Sequence, residues 1–186
     1  MTRLNPIFHW AETQYPPISL LFQLLPASYG KLVEFYTGAG HVFLHFQPER
    51  LIINDFDAKI MSSYKLIRDY PYEFIFYNRD FDRPNIINIS QYLNLAKCQI
   101  FSVHYKELAA LINSEDFIFI DQSRSYYSTD QDNLELLAFL NNTGAKWLIF
   151  QPSTPFILNL YKDYNIVPVD NLSMDFLFIY NYSISD

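Results

Sequence analysis

Glycine is scarce in this chain, and its placement limits the folds that the sequence can adopt. Only four of the 186 residues are glycines, and two of them lie close together in the stretch KLVEFYTGAGHVFLHF. Leu32–Phe35 predicts a short buried strand, Gly38–Gly40 a tight turn, and Val42–Phe46 the start of a helix. A glycine turn at this place lets backbone N–H groups approach a ligand beside the helix N-terminus. The stretch therefore predicts a strand–turn–helix unit of an α/β fold.

A second buried strand, in the stretch RLIINDFD, is followed by an acid. Leu51–Ile53 predicts the strand, and Asp55 lies 17 residues after Gly38. Nucleotide-binding βαβ units place a carboxylate about 20 residues beyond the glycine turn, where it binds ribose hydroxyls. The pair predicts a site for an adenosyl ligand. The alternative is a glycine turn kept only for packing between strand and helix.

Strands and helices alternate along most of the remaining chain. The predicted strands are 99–103, 117–120, 147–150, a short one near Ile166, and 176–182, and the predicted helices are 58–68, 105–112, one that ends before Gly144, and 156–163. The helix before Gly144 has a clear start, with Ser128 or Thr129 as N-cap. Seven strands interleaved with helices predict a doubly wound α/β sheet with helices on both faces.

The segment 70–95 departs from this alternation. It begins YPYEFIFYNRDFDRP, is rich in Asn, Asp, Pro and aromatic residues, and has no clear helix or strand period. We therefore expect an excursion from the core of a single domain that spans residues 1–186.

Composition excludes several classes of protein. With 50% hydrophobic residues the chain can build a core, and its net charge of −7 with 13 scattered Lys and Arg argues against neutralising many nucleic-acid phosphates. Cys98 is the one cysteine, which excludes an internal disulfide. His41 and His45 lie four apart on the predicted helix, but no Cys or acid cluster accompanies them, so we predict no metal site.

The sequence also carries expectations about location and partners. It has no apolar run long enough to span a bilayer, and its start, MTRLNPIFHWAETQYPP, lacks a signal-peptide core. We expect a cytoplasmic or nucleoplasmic protein that does not bind membranes. The 15 Tyr and 17 Phe stand without interleaved basic residues. An aromatic-rich, weakly charged surface predicts a protein partner or a homo-oligomer.

The order of these features resembles the Dam-type family of adenine-specific DNA methyltransferases. These enzymes use S-adenosylmethionine (SAM) to methylate the exocyclic amino group of adenine. The segments that carry the resemblance, in the family's order and over nearly the whole chain, are HWAETQYPPISLLFQLLP, LVEFYTGAGHVFL, RLIINDFD, FIFID and NNTGAKWLIF. The resemblance implies a Rossmann-like SAM-dependent methyltransferase fold of about seven mostly parallel strands.

The resemblance also implies a set of cofactor-binding residues. The family's turn is typically Glu-Pro-Phe-x-Gly-x-Gly, which matches the stretch 34–40 except that Phe35 stands for the proline and Tyr36 for the phenylalanine. Asp55 matches the family's acid on the SAM ribose, and Tyr105 falls where an aromatic or acid often lies near the adenine of the cofactor. The implied set is Trp10, Glu34, Phe35, Tyr36, Gly38, Gly40, Asp55 and Tyr105.

The N-terminal motif departs from the family pattern. The family has roughly Lys-Trp-x-Gly-Gly-Lys, whereas this chain has HWAETQ, which keeps Trp10 but neither the glycines nor the lysines. Glu12 adds an acid where the anionic carboxylate of the cofactor is expected. SAM is thus the candidate cofactor of a vestigial site.

The catalytic loop departs further. In the family's Asp-Pro-Pro-Tyr, the acid and a proline carbonyl accept hydrogen bonds from the target amino group, and the tyrosine stacks on the flipped base. This chain has Asp-Gln-Ser-Arg at 121–124. The change removes the stiffness of the prolines and base stacking of about 1–3 kcal/mol, and Arg124 adds a cation near the expected sulfonium. Tyr126 or Tyr127 would replace the lost aromatic if the loop is shifted.

Two further departures concern the side that faces DNA. The family's long target-recognition region is reduced to a remnant at 70–95, and Gln151–Ser153 replaces a common Ser-Asn pair. We therefore predict a degenerate, catalytically inactive relative, a pseudoenzyme in which Asp121 is vestigial. It would act as a structural or regulatory partner, with weak or no binding to duplex DNA.

Two alternatives remain open at the level of sequence. One is an active SAM-dependent adenine-specific methyltransferase that acts on nucleic acid with a partner subunit or on a smaller substrate. The other is an unrelated nucleotide-binding α/β domain that uses a nicotinamide cofactor. The latter ranks last because the Gly-Ala-Gly turn lacks the third glycine that is spaced for a pyrophosphate.

Overall fold

A mixed β-sheet forms the centre of the protein. The computed structural model describes residues 3–8, 15–123, 129–169 and 175–184. Within these ranges the sheet has seven strands: β1 (Leu32–Phe35), β2 (Leu51–Asn54), β3 (Gln99–Phe101), β4 (Phe117–Asp121), β5 (Lys146–Pro152), β6 (Asn165–Val169) and β7 (Phe176–Tyr180). Their order is β3-β2-β1-β4-β5-β7-β6. Strands β1 to β5 are parallel, and β7 runs antiparallel to both β5 and β6.

Helices connect these strands. They are α1 (Ile18–Leu24), α2 (His41–Phe46), α3 (Ala58–Asp69), α4 (Pro71–Tyr77), α5 (Arg83–Leu95), α6 (Asp130–Thr143) and α7 (Pro155–Leu160), and a 3-10 helix spans Tyr105–Leu111. Among the residues that the structure describes, none of these helices combines the length and the apolar character needed to cross a membrane.

Both faces of the sheet are covered, as a parallel sheet requires. On β4, Phe117 and Phe119 pack into one layer, and Ile118 and Ile120 into the other. The first layer takes its buried helical residues from α1 to α5, and the second from the 3-10 helix, α6 and α7. The continuous apolar runs of the central strands thus reflect burial on two sides, and the predicted doubly wound fold is confirmed.

Several predicted boundaries differ from those in the structure. β3 ends at Phe101, two residues early, and the helix predicted for 105–112 is a 3-10 helix. The predicted capping of α6 is present, because the Thr129 side chain accepts a hydrogen bond from the N–H of Asp132 and Gly144 follows with φ +66°. Ser128, the other candidate N-cap, lies outside the described residues.

The segment 70–95 is helical and part of the core, and the expected excursion is therefore wrong. α5 buries Ile86, Ile89 and Leu93 in the same layer as α3. Proline occupies a first-turn position in both α4 and α5, where its missing N–H costs nothing. The prolines that suggested an irregular segment are thus helix starts. The interpretation of this segment as a remnant of a target-recognition region stays a prediction.

Candidate ligand site

A cavity of about 550 Å³ opens where β1, β2 and β4 end at their carboxyl termini. Doubly wound sheets bind ligands at this edge, where the strand order reverses between β1 and β4. Six residues that the sequence predicts for the site line this cavity: Glu34, Tyr36, Gly38, Asp55, Tyr105 and Asp121. Residues from separate parts of the chain therefore meet in one place.

Three other predicted residues are placed differently. Phe35 is fully buried in the second core layer, and its ring centroid lies 5.9 Å from that of Tyr105. Gly40 shapes the turn but does not line the described part of the cavity wall. Trp10 lies outside the described residues, as do Arg124 and the tyrosines at 126 and 127.

The glycine turn has a left-handed backbone at three residues. Tyr36, Gly38 and Gly40 have φ of +58°, +50° and +77°, in the left-handed region that glycine adopts at low cost. A Cβ added at Gly40 would lie 2.5 Å both from a ring carbon of Phe43 and from the hydroxyl of Tyr64. Glycine at this position therefore allows the turn to approach the core.

The turn and the predicted ribose acid are directly joined. The N–H of Gly38 donates to Oδ2 of Asp55 at 2.8 Å, and the N–H of Asp57 donates to Oδ1 at 2.9 Å. Asp57 in turn accepts from two N–H groups of the first turn of α3 and so caps that helix. These bonds fix the Asp55 carboxylate at the cavity wall, and its oxygens keep lone pairs that can accept hydrogen bonds from hydroxyls.

Glu34 is the most buried carboxyl group of the cavity wall, with 1% of its surface exposed. Its Oε2 accepts a hydrogen bond from the N–H of Phe43 in α2 at 3.1 Å. Burial, followed by the negative charge of Asp121, raises the pKa of Glu34 well above its usual range. The bond from Phe43 lowers the pKa, but it does not outweigh the loss of water around the carboxyl group.

Hydrogen bonds hold the residues that follow Asp121. Oδ1 of Asp121 accepts from the N–H of Ser123 at 2.9 Å, and the N–H of Gln122 donates to the carbonyl of Phe150 at 2.8 Å. A proline at 122 could not make the second bond because it has no N–H. Gln122 and Ser123 are both buried, so the chain turns inward after the acid.

An aromatic rim lies beside the predicted adenine position. The Phe56 ring lies 5.8 Å from the rings of both Tyr36 and His104, and His104 lies 4.3 Å from Tyr105. Asn54 fixes this loop, because its side chain donates to and accepts from the backbone of Val103 at 3.0 and 3.1 Å. The sequence analysis did not select Phe56 or His104. Their positions directly after Asp55 and directly before Tyr105 were the available signals.

The next feature is the placement of the potential metal ligands, including the two histidines of α2. Across the ranges that the structure describes, no three His, Cys, Asp or Glu side chains group in a way that could hold a metal ion. His41 lines the cavity, and its ring contacts that of Tyr15 at a tilt of 40°, whereas His45 is exposed and contacts the ring of Phe46. The two histidines, although four residues apart, therefore lie in different surroundings.

Known structures define the class of fold. Precorrin 8w decarboxylase from Methanobacterium thermoautotrophicum is 13% identical, with a TM-score of 0.60 over 98% of this chain and 100% of that one. The putative methyltransferase yhhF from Escherichia coli is 10% identical, with a TM-score of 0.56 over 98% and 92%. M. capricolum TrmK, in complex with S-adenosylhomocysteine, is 11% identical, with a TM-score of 0.55 over 91% and 68%. At these identities the likeness shows the fold alone, which is the Rossmann-like fold of SAM-dependent methyltransferases.

Sequence comparisons identify a more specific likeness for part of the chain. The family model of the D12 class N6 adenine-specific DNA methyltransferases matches residues 17–78, which include the glycine turn and Asp55. The type II methyltransferase M1.LlaDCHI of Lactococcus lactis subsp. cremoris is 26% identical over 72 residues, which are 39% of this chain and 25% of that protein. Residues 17–78 are thus similar to the D12 class of adenine-specific DNA methyltransferases, and the predicted resemblance is confirmed for this part of the chain. The aligned part spans about a quarter of the curated relative.

Proposed function

We propose that this chain binds SAM in the cavity, has lost adenine methyl transfer, and acts as a structural or regulatory partner. One observation carries the proposal. The cavity and the Gly38–Asp55 bond of 2.8 Å are present, while the backbone N–H groups of Gln122 and Ser123 make hydrogen bonds that prolines could not make. The residues that would bind SAM are therefore kept, whereas those that would catalyse methyl transfer are changed.

The cavity residues suit SAM. Asp55 would offer carboxylate oxygens to the ribose, the turn at Gly38 would hold the methionine part, and Phe56 with Tyr105 would offer aromatic surface to the adenine. When bound, SAM supplies a methyl group on a sulfonium cation, and the acidic wall of the cavity complements that charge. These features support binding of an adenosyl ligand over a mere packing role for the glycine turn.

The loss of transfer is supported by the residues around Asp121. Its Oδ1 accepts from the N–H of Ser123, so one acceptor position of the carboxylate is used within its own turn. Ser123 is buried where the family pattern has a second proline, and Arg124 replaces the tyrosine that would stack on a base. The family match also ends at residue 78, before β4.

The partner role is supported by the surface of α4. Tyr72, Phe76 and Tyr77 are 77%, 63% and 72% exposed, and they stand next to one another on a single short helix. Exposed aromatic side chains grouped in this way are typical of protein contact surfaces.

The first experiment is calorimetric titration of SAM into the purified protein, with NADH as a control ligand, followed by a methyl-transfer assay on adenine-containing DNA and RNA. We expect saturable SAM binding that Gly38→Asp or Asp55→Ala weakens at least about tenfold, and no methyl transfer. The exposed Glu49 provides a control variant, Glu49→Gln, that leaves binding unchanged. Methyl incorporation into adenine would reject the inactive assignment, and absence of binding to folded protein would reject the SAM site.

A second candidate function is an active SAM-dependent adenine-specific methyltransferase that receives nucleic acid from a partner subunit. It is favoured by Asp121, which still lines the same cavity as Gly38 and Asp55. On this hypothesis, Asp121→Ala abolishes transfer and leaves the circular dichroism spectrum and melting temperature unchanged. Transfer that persists in Asp121→Ala rejects a catalytic role for this acid.

A further inference from the structure

Helix α4 is apolar on both of its faces. Of its seven residues only Glu73 is charged, and the side chains of Phe74 and Ile75 pack into the first core layer. The opposite face presents aromatic rings to solvent. A helix that is apolar all round is normally buried all round, because exposed apolar surface is unfavourable in water. We therefore expect another protein surface to cover the outward face of α4.

The exposed aromatic residues of this region lie close together. Tyr72 and Phe76 are one helical turn apart on the same side of α4. The rings of Phe76 and Tyr77 meet edge-on, with 5.2 Å between their centroids. Tyr70, which directly precedes the helix, is exposed as well. We define the α4 patch as these four residues, Tyr70, Tyr72, Phe76 and Tyr77.

The area of the α4 patch is large enough to form most of one side of a stable interface. Its four residues are each 63–77% exposed. An aromatic side chain buries about 150–250 Å² when it is covered, so the patch offers on the order of 550 Å². A standard interface buries about 800 Å² on each partner. The charged residues around the patch can supply the remaining area.

Charges of both signs flank the α4 patch. Glu73 lies in the first turn of α4, and Arg79 lies just beyond its end, with its guanidinium carbon 5.8 Å from the centroid of the Phe76 ring. Neither residue forms an ion pair within the part of the chain that the structure describes. Because the whole chain has a net charge of −7, two copies meet with least repulsion where the surface offers both signs.

We propose that the α4 patch is the contact surface of a homodimer, in which the α4 helices of two copies pack antiparallel about a two-fold axis. In such a pair the start of one helix lies beside the end of the other, so Glu73 of each copy meets Arg79 of the other copy. A partner recognised by net charge would favour a surface of one sign, whereas these mixed signs match a second copy. This inference rests on the partner role proposed above and names the partner.

The test is the mass in solution of wild type, Phe76→Asp and the control Phe22→Asp, measured by sedimentation equilibrium. Phe22 in α1 is 66% exposed, nearly as Phe76 is, and lies outside the α4 patch. At about 100 μM protein we expect wild type and the control to have twice the 22.0 kDa of one chain, since standard interfaces have micromolar or lower dissociation constants. Phe76→Asp should raise the dissociation constant at least about tenfold, because it buries an unpaired charge in the interface.

Reversal of charge tests the antiparallel arrangement. Glu73→Arg and Arg79→Glu each place like charges next to each other across the two-fold axis, and each should raise the dissociation constant about three- to tenfold. The double variant restores opposite charges and should return the constant to within about threefold of wild type. Circular dichroism and the melting temperature check that each variant is folded, as expected for substitutions at exposed side chains.

The other outcomes contradict the proposal at separate steps. A wild type that stays monomeric at about 100 μM overturns the homodimer. A dimer that Phe76→Asp leaves intact, or that Phe22→Asp weakens equally, overturns the assignment to the α4 patch. Single charge reversals without effect, or a double variant that does not recover, overturn the antiparallel arrangement.

Titration of SAM into the same variants separates this inference from the proposed SAM site. No residue of the α4 patch lines the described part of the cavity, so SAM should bind equally well whether or not the dimer forms. Absence of SAM binding to an intact dimer rejects the SAM site and leaves the dimer in place. SAM binding to a protein that is monomeric overturns the dimer and leaves the SAM site in place.

Discussion

A left-handed backbone and close packing coincide at Gly40, the residue that joins the turn to α2. Its φ of +77° lies in the left-handed region, and Tyr64, which meets it, is fully buried. The Tyr64 ring also contacts Phe43 edge-on, with 5.5 Å between ring centroids. The shape of the turn beside the cavity is therefore determined by the core beneath it as well as by the turn sequence.

We expect Gly40→Ala to lower the free energy of unfolding by about 2–4 kcal/mol, because left-handed strain adds to overlap with Phe43 and Tyr64. Gly144→Ala is the matched control, since Gly144 has φ of +66° but, among the described residues, its added Cβ would meet only Ser114, at 3.7 Å. Strain alone should cost the control about 1–2 kcal/mol. Urea unfolding of both variants measures the difference, and equal losses would contradict a role for the overlap.

Glu34 predicts a pH dependence of stability. Its pKa is raised in the folded protein by burial and by the charges of Asp121 and Asp55, so the folded state holds this proton more tightly than the unfolded chain. The stability contributed by Glu34 is therefore complete below the unfolded pKa, about 4.3, and is lost as pH rises through the folded pKa. Glu34→Gln removes this loss and should gain stability relative to wild type as pH rises towards about 8. Thermal unfolding of wild type, Glu34→Gln and the control Glu49→Gln across this pH range measures the gain in stability. A difference between wild type and Glu34→Gln that does not change with pH would contradict a raised pKa of Glu34.

At the scale of the element, α4 and α5 belong to the core on which the cavity is built. The backbone carbonyl of Arg68 in α3 accepts hydrogen bonds from the side chains of Ser90 and Asn94 in α5 at 3.0 and 2.8 Å. Asn85 exchanges two hydrogen bonds with the backbone of Asn5, both of 3.0 Å. The asparagines that gave this segment an irregular appearance thus join it to neighbouring elements.

We expect Ile89→Ala in α5 to destabilise the protein by about 2–4 kcal/mol, because its side chain is fully buried and truncation leaves a cavity. Leu95→Ala in the same helix is the control, since Leu95 is 82% exposed and should change stability by less than about 0.5 kcal/mol. Denaturant unfolding measures both. A small loss for Ile89→Ala would indicate that α5 is loosely attached, as an excursion from the core would be.

The sequence predicted those elements in which all neighbouring residues indicate the same structure. The strands of the sheet centre are short, mostly apolar and buried throughout, and Gly38 and Asp55 follow two of them at the edge where ligands bind. α5 was missed because its signals conflict: Asp82 and Pro84 are a helix start, while asparagines interrupt the apolar period. Phe56 and His104 were missed because their role depends on β2 and β3 being neighbours, a pairing that arises only in the folded sheet.

At the scale of the whole molecule, charge limits the partners that the chain can bind alone. The net charge is −7, and the cavity adds a local concentration of six carboxyl groups. A duplex presents one phosphate charge about every 1.7 Å along its axis, so binding it would require a compensating basic surface. Any nucleic acid that reaches this cavity is therefore expected to be held by another protein.

We expect no binding of the isolated chain to a fluorescently labelled DNA duplex at about 0.1 M salt, because mutual repulsion opposes contact within the Debye length of about 10 Å. Fluorescence anisotropy should stay flat up to the highest protein concentration, with and without SAM. Raising the salt concentration should leave the anisotropy unchanged, since no counterions are released from the duplex. Saturable binding whose affinity falls as salt rises would reveal phosphate contacts and would favour the active adenine methyltransferase over the structural partner.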